Sequence, residues 1–394
     1  MQIEKIYIGG WFQRTMLHLT EVYNLLKNGE SFLKALDPDK LKKLQQSLDV
    51  KQLDYIVDGF ERVEFTTEDD ITVKIFEDGL IVLSGKPKDA KSMDAQITTL
   101  TKYYENVLSP AFSYIFSLGA PVPKELANIK TVYPYFIVLN DAKPKAMQKF
   151  MEGIDQQRYY SHTGKSFDIL RGEKYYFINN KIKSEDRVED YIEEQIFIRE
   201  FKGQLHRYLD LHRIIWSQIA KLKEKQNIRG REIVEFSAEL DDIAKTINLV
   251  DSRINQMGSY LRTREKLALK DPDFQDVLDV MEYRYEALAN TLSYIQHVWK
   301  MTANYVADAR SLFSGLQQEV TQRSVESLAV ITSMGVGASL IALITTDTLP
   351  QFTTFGVLYF LALAGIGFAA NWAMRTIGNR RRYTISDKDY TKID

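Results

Sequence analysis

Two stretches without a charged residue stand near the C-terminus of this chain. Ser327 to Thr346 and Thr348 to Met374 contain no Asp, Glu, Lys or Arg, and only Asp347 separates them. About 20 helical residues cross the ~30 Å hydrocarbon core of a bilayer, so each stretch is long enough to span one. Pro350 and the short run Asp347-Thr348-Leu349-Pro350 favour two helices joined by a turn over one very long helix. The expectation is a membrane hairpin with the preceding 326 residues on one side.

The flanking cations orient it. Arg323 precedes the first stretch, and Arg375, Arg380, Arg381 and Arg382 follow the second, while the connecting turn has no Lys or Arg. The positive-inside rule then predicts both termini in the cytoplasm and an inner (cytoplasmic) membrane location. Met1-Gln2-Ile3-Glu4-Lys5 leads into an alternating segment rather than an apolar run, so no signal peptide is expected.

A mean hydropathy of −0.27 suits a soluble body with a membrane anchor, not a polytopic carrier. The 51 basic and 53 acidic residues nearly cancel, so bulk charge argues neither for nor against a nucleic-acid partner; separately, no direct nucleic-acid binding is expected. Without cysteine, the chain has no disulfides, thiolate metal sites or Cys nucleophiles. Thr163-Gly164-Lys165-Ser166 resembles the tail of a phosphate loop, but Tyr159 stands where its leading glycine belongs. The histidines (His18, His162, His206, His212, His297) have no paired ligand spacing, and no G-x-S-x-G elbow occurs, so neither metal site nor enzyme is expected. Arg229, Arg231, Arg253, Arg262, Arg264 and Lys266 read as a solvated helix face, or alternatively as a phosphate-binding one.

Residues 1–183 read as a mixed α/β domain. Strands are expected at Ile3 to Gly9, Asp54 to Phe65 and Val132 to Leu139, the last with Pro134 near its start or edge. Hairpins are expected for Ile71–Phe76 with Leu80–Leu83 across Glu77-Asp78-Gly79, and for Phe167–Leu170 with Lys174–Ile178. Helical periodicity marks Leu17–Leu26, Asp37–Leu48 and Ser92–Leu118, the last bent at Pro110. A helical pair follows over 184–270: Ser184 caps one helix reaching about Gln226, and the second covers about Arg231 to Leu269. A stalk helix over 271–326 starts at Asp271-Pro272 and runs straight into the first span, 327–346; the second span is 352–374 and the basic tail 375–394.

Along the stalk and first span, alternating steps of three and four pick out Asn304, Ala307, Ser311, Ser314, Gln318, Thr321, Val325, Leu328, Thr332, Gly335, Ser339, Ala342 and Thr346. A coiled-coil seam on this spacing is built of Leu and Ile. This stripe is small and polar, apart from Val325 and Leu328 at the membrane mouth. Polar groups facing the axis of a helix ring suit a water-filled pore, and a lone apolar layer suits a dewetting gate. Gly335, Gly337 and Ser339 equally suit close helix packing. In a symmetric oligomer Asp347 becomes an outer ring of carboxylates that concentrates cations; alone it is a solvated turn residue.

This plan of an α+β cytosolic domain, long helices, a stalk running into the first of two C-terminal spans and a basic tail resembles the CorA superfamily of cation channels. The resemblance implies a homopentamer with the first span lining the pore. The family's Gly-Met-Asn triplet is absent, Thr345-Thr346-Asp347-Thr348-Leu349-Pro350 standing in its place, which puts magnesium selectivity in doubt. Divergent members without it include CorA-like effectors of type III CRISPR systems. That likeness implies gating by a small nucleotide messenger of the S-adenosylmethionine–AMP (SAM-AMP) type and an antiviral role. A divalent-cation transporter and a non-conducting membrane tether remain the alternatives.

Overall fold

A computed structural model describes residues 2–11, 18–57, 60–89, 92–116, 134–140, 142–154, 158–181, 185–223, 227–269, 278–344 and 382–384, with scattered positions between 354 and 376. The chain divides into two units, Met1–Leu211 with Leu249–Val298, and His212–Asn248 with Trp299–Asp394.

The first unit is organised by a nine-stranded sheet in the order β2-β3-β4-β5-β1-β6-β9-β8-β7. Its central strand, β1 (Gln2–Trp11), shows why the sheet is covered on both faces. Ile6 and Ile8 enter one core, while Lys5, Tyr7, Gly9 and Trp11 alternate to the other side. Such a strand is buried on both faces, as expected of a sheet packed between helical layers.

The expected apolar run from Asp54 to Phe65 is two strands, β2 (Val50–Ile56) and β3 (Arg62–Thr67), paired antiparallel with Tyr55 opposite Val63. Between them the sequence reads Val57-Asp58-Gly59-Phe60, a turn signal that alternation alone passes over. The first expected hairpin is present as β4 (Thr72–Phe76) and β5 (Leu80–Gly85), with Gly79 at φ 95° supplying the left-handed step. β6 (Tyr135–Asn140) begins just after Pro134, so no ladder donor is lost. It lies centrally, antiparallel to β1 and parallel to β9 (Tyr175–Asn180).

β7 (Arg158–Thr163) and β8 (Phe167–Gly172) complete the sheet, the second expected hairpin being β8 with β9. Thr163-Gly164-Lys165-Ser166 joins β7 to β8, where the Gly164 amide donates to the Phe167 carbonyl at 2.9 Å. A turn between antiparallel strands is not the strand-to-helix turn a phosphate loop requires, so that resemblance ends there.

One sheet face packs under α1 (Leu19–Asn28), α2 (Pro38–Ser47), α3 (Met93–Tyr103), α4 (Ser109–Phe116) and α5 (Pro144–Ile154). Leu25, Leu100, Phe112 and Met147 meet Ile8, Val73, Leu83, Ile137 and Phe177 in a single core. Each fully buried aliphatic or aromatic side chain contributes about 1.5–3 kcal/mol. The expected bend at Pro110 takes the form of a π-helical turn, Tyr104–Leu108, between α3 and α4. Proline lacks the ladder donor and crowds the preceding turn, and the wider turn relieves it.

The opposite face is covered by α6 (Glu185–Lys223); its expected cap, Ser184, lies outside the described residues. Trp11 packs edge-on against Phe197 and at a tilt against Phe201, at 6.0 and 5.6 Å between ring centroids. Helix α7 (Gly230–Ala268) matches the expected second helix within a residue at each end. Helix α8 (Leu278–Ile344) is 67 residues long, about 100 Å at 1.5 Å per residue. The expected start at Asp271-Pro272 lies outside the described residues. Each of these three helices contributes residues to both units.

In the second unit, Trp216 stacks on Tyr305 at 4.5 Å, Phe236 meets Phe313 edge-on, and Arg310 pairs with Asp241 at 2.7 Å. The expected break after α6 contains a short strand, β10 (Asn227–Arg229), paired with β11 (Arg382–Thr384) of the tail.

Among the described residues no helix is long and apolar enough to cross a membrane. Thr346, Asp347 and most of residues 352–374 lie outside the described residues.

Candidate functional site

Helix α8 carries the polar stripe on a single face. Asn304, Ala307, Ser311, Ser314, Gln318, Thr321, Val325, Thr332 and Gly335 are all exposed. Thr302, Val306, Ala309 and Phe313 are buried within the second unit. At ~100° per residue the two rows lie about 150° apart around the helix. The helix thus commits one face to its own chain and leaves the hydroxyl and amide row uncovered. From Asn304 to Gly335 that row extends for about 47 Å. The Thr321 hydroxyl donates to the Gln317 carbonyl at 2.9 Å, so it does not need water to be satisfied. Val325, half of the expected gate, is 60% exposed. The side chains of Leu328 and Ser339 lie outside the described residues, as do Thr346 and Asp347.

The basic run read as a solvated face departs from that reading at two positions. Arg253 and Arg264 are 5% and 2% exposed, while Arg229, Arg262 and Lys266 are exposed as expected. Arg264 donates to Asp78 of the β4–β5 turn through Nε and Nη2, and to Glu194 of α6 at 3.0 Å through Nη1. Tyr285 of α8 donates to the other Glu194 oxygen. Burial pushes the Glu194 carboxyl up despite the pull of Arg264. Burial alone would lower Arg264, but Asp78 and Glu194 outweigh it and hold the guanidinium charged. With its donors occupied, Arg264 is not available to a phosphate.

A second charged row runs along α6 at a spacing of four. Lys5 pairs with Glu185 and Glu189 at 3.1 and 3.3 Å, and Lys74 with Glu189 and Glu193 at 2.7 and 3.3 Å. Burial opposes ionisation of Glu189, but Lys74 and Lys5 prevail and hold it below the usual carboxylate range. Glu193 is pushed up to about 7 by burial, Lys74 only partly offsetting it, with Glu189 adding repulsion.

The first unit also holds a cavity of about 500 Å³ between the sheet, α6 and α8. Phe136 and Tyr176, on the parallel strands β6 and β9, form one wall with ring centroids 4.9 Å apart. Arg171 of β8, Arg199, Lys202 and His206 of α6, and Arg284 of α8 bring basic side chains to it, and no carboxylate among the described residues lines it. Gln195 accepts from Arg284 through Oε1, while its Nε2, like Arg171 Nε, is buried without a partner among the described residues. Arg199 is held by the carbonyls of Gly9 and Pro134 at 2.8 and 3.2 Å and by Glu200 at 3.0 Å. Sequence reasoning missed this site because its residues come from five separate elements. The one available signal, Gln195, Arg199, Lys202 and His206 sharing a face of α6, is submerged in a helix buried on several sides.

No family model matches the chain, and no curated protein matches it. Among solved structures it is similar to the CorA magnesium transporter from Methanocaldococcus jannaschii, at 9% identity and a TM-score of 0.31, covering 63% of this chain and 93% of that one. A likeness at that score carries no argument about function.

Proposed function

We propose that this chain is a subunit of an oligomeric membrane channel whose large N-terminal part senses a ligand and whose helix α8 lines the pore. The observation that carries the reading is the uncovered polar row on α8, whose first part, Asn304 to Ser314, lies opposite a face already engaged by the same chain. Copies of α8 gathered about an axis with that row inward enclose water, and Val325 with Leu328 forms the apolar constriction. The pairing of β11 with β10 supports the hairpin. It brings residues 382–384, after the second charge-free stretch, back to residues 227–229, before the first.

In its most specific form the channel is a homopentamer opened by a nucleotide messenger of the SAM-AMP type, serving type III CRISPR antiviral defence. The resemblance of plan supports this form, and the absent Gly-Met-Asn triplet favours it over magnesium transport. Ligand binding opens the pore only as far as it favours the open arrangement over the closed one.

The test is reconstitution of the full chain in liposomes, with ion flux and oligomer mass as readouts. A ring-sized oligomer and ligand-dependent flux are expected. A monomer in mild detergent that also forms no crosslinked ring in membranes removes the pore. Flux driven only by a magnesium gradient, without any nucleotide, returns the protein to cation transport.

A further inference from the structure

We infer that the cavity between the sheet, α6 and α8 is an anion site whose ligand carries a phosphate beside a flat ring, the chemistry of a nucleotide. The site deepens the ligand-sensing reading above: its role in gating rests on that reading, while binding itself stands on the cavity alone.

Charge comes first. Several cations of this unit meet carboxylates: Lys5 and Lys74 meet the glutamate row, Arg264 meets Asp78 and Glu194, and Lys181 meets Asp168 at 2.6 Å. In the cavity Arg199 pairs with Glu200, but three further cations are not so matched. Arg171, Lys202 and Arg284 make no ion pair with a carboxylate among the described residues, and none lines the space they share. Concentrating like charges without counter-charge is unfavourable, and an anion relieves it.

A second observation is independent of charge. Gln195 is 5% exposed and lines the cavity, yet its Nε2 has no acceptor among the described residues, and Arg171 Nε is in the same condition. Buried donors are almost always satisfied, so two orphans lining one cavity, one from the sheet and one from α6, ask for acceptor oxygens. Phosphate oxygens match both the donors and the guanidinium geometry. Aromatic surface for a ring comes chiefly from Tyr283 at the rim, 71% exposed, with the buried rings of Phe136 and Tyr176 lining the sheet side beside Arg171. A volume of about 500 Å³ falls in the range that small ligands occupy. Arg284 and Tyr283 belong to α8, so an occupant bears directly on the helix that carries the polar row.

The experiment is calorimetric titration of the full chain in detergent with AMP, adenosine and inorganic phosphate, alongside liposome flux. AMP is expected to bind saturably, and adenosine and phosphate each about tenfold or more weaker, since each lacks one half of the recognised chemistry. Lys202 is exposed, so Lys202→Glu keeps the fold; it and Arg171→Gln are expected to weaken AMP by about tenfold or more. Lys245→Glu, at an exposed cation outside the cavity, is expected to leave binding unchanged. A flat AMP titration, or Lys202→Glu and Arg171→Gln both binding like the parent, overturns the site. Adenosine binding as tightly as AMP overturns the phosphate, and phosphate binding as tightly overturns the ring. AMP binding without flux leaves the site standing and removes AMP binding as the gating event; flux without AMP binding leaves the channel standing and removes the site.

Discussion

Replacing Arg264 with methionine strips the charge from the junction between the β4–β5 turn and helices α6, α7 and α8. The guanidinium is 2% exposed and Asp78 is 0% exposed. It supplies two donors to Asp78 and one to Glu194, and its carbon lies 4.8, 4.9 and 5.2 Å from the ring centroids of Phe60, Phe197 and Phe76. Methionine keeps much of the apolar contact, so the loss is chiefly electrostatic. Removing one partner of a buried ion pair costs about 3–5 kcal/mol, because the other charge stays buried without compensation. Two carboxylates are stranded here, so Arg264→Met is expected to lose about 4 kcal/mol or more, a large part of the ~5–15 kcal/mol that holds a domain folded.

The same reasoning fixes a pH signature. With Arg264 gone, the Glu194 carboxyl, already raised by burial, takes a proton more readily in the folded state. A raised folded value means stability retained at low pH and lost as pH rises, so the deficit shrinks towards pH 5 and widens towards pH 8. Denaturant unfolding of the full chain, followed by tryptophan fluorescence, reads this out. Trp11 is suited to report it, because its indole donates to the Asp78 carbonyl at 2.8 Å. Adding Asp78→Asn and Glu194→Gln to Arg264→Met is expected to recover most of the loss. A deficit below about 1 kcal/mol at pH 8 with no pH dependence would refute the reasoning, leaving Arg264 a packing residue.

Glu193, at about 7 in the folded state against ~4.3 in an unfolded chain, costs about 3–4 kcal/mol once ionised. Stability is therefore expected to fall from pH 5 to 8, and Glu193→Gln to flatten that slope; an unchanged slope assigns it to another group. Gly9→Ala places a methyl 2.5 Å from the Ile81 carbonyl and 3.0 Å from Ile196, so a loss of about 1–3 kcal/mol is expected in thermal unfolding. Leu328→Asn wets the proposed constriction, and liposomes bearing it are expected to leak ions without ligand. A folded Leu328→Asn protein in tight liposomes counts against a gate at that position.

Local signals carried the helices and most strands. Asp78-Gly79 marked the β4–β5 hairpin, and the length of α8 was legible from uninterrupted helical residues beyond Pro272. The polar stripe was also legible, since a row on one face of one helix depends only on the 3.6-residue period. Edge strand β7 was not, because its own residues lack strong alternation although β8 follows it directly; nor was the β10–β11 pair, whose two strands lie far apart in the chain. Arg264 was misread for a related reason. Its neighbours Arg262 and Lys266 are exposed, and only the approach of Asp78, 186 positions away, makes a buried arginine tolerable there.

What the chain's sequence determined alone is therefore periodic and near in sequence: two charge-free stretches, three long helices and a hydrophilic row on the last of them. Only the tertiary structure decided which cations are matched by carboxylates and which converge on an uncompensated cavity. That division has a plain cause. Helical and strand faces follow from bond geometry within a few residues, whereas the free energy of a buried charge depends on every group that folding brings within a few ångströms of it.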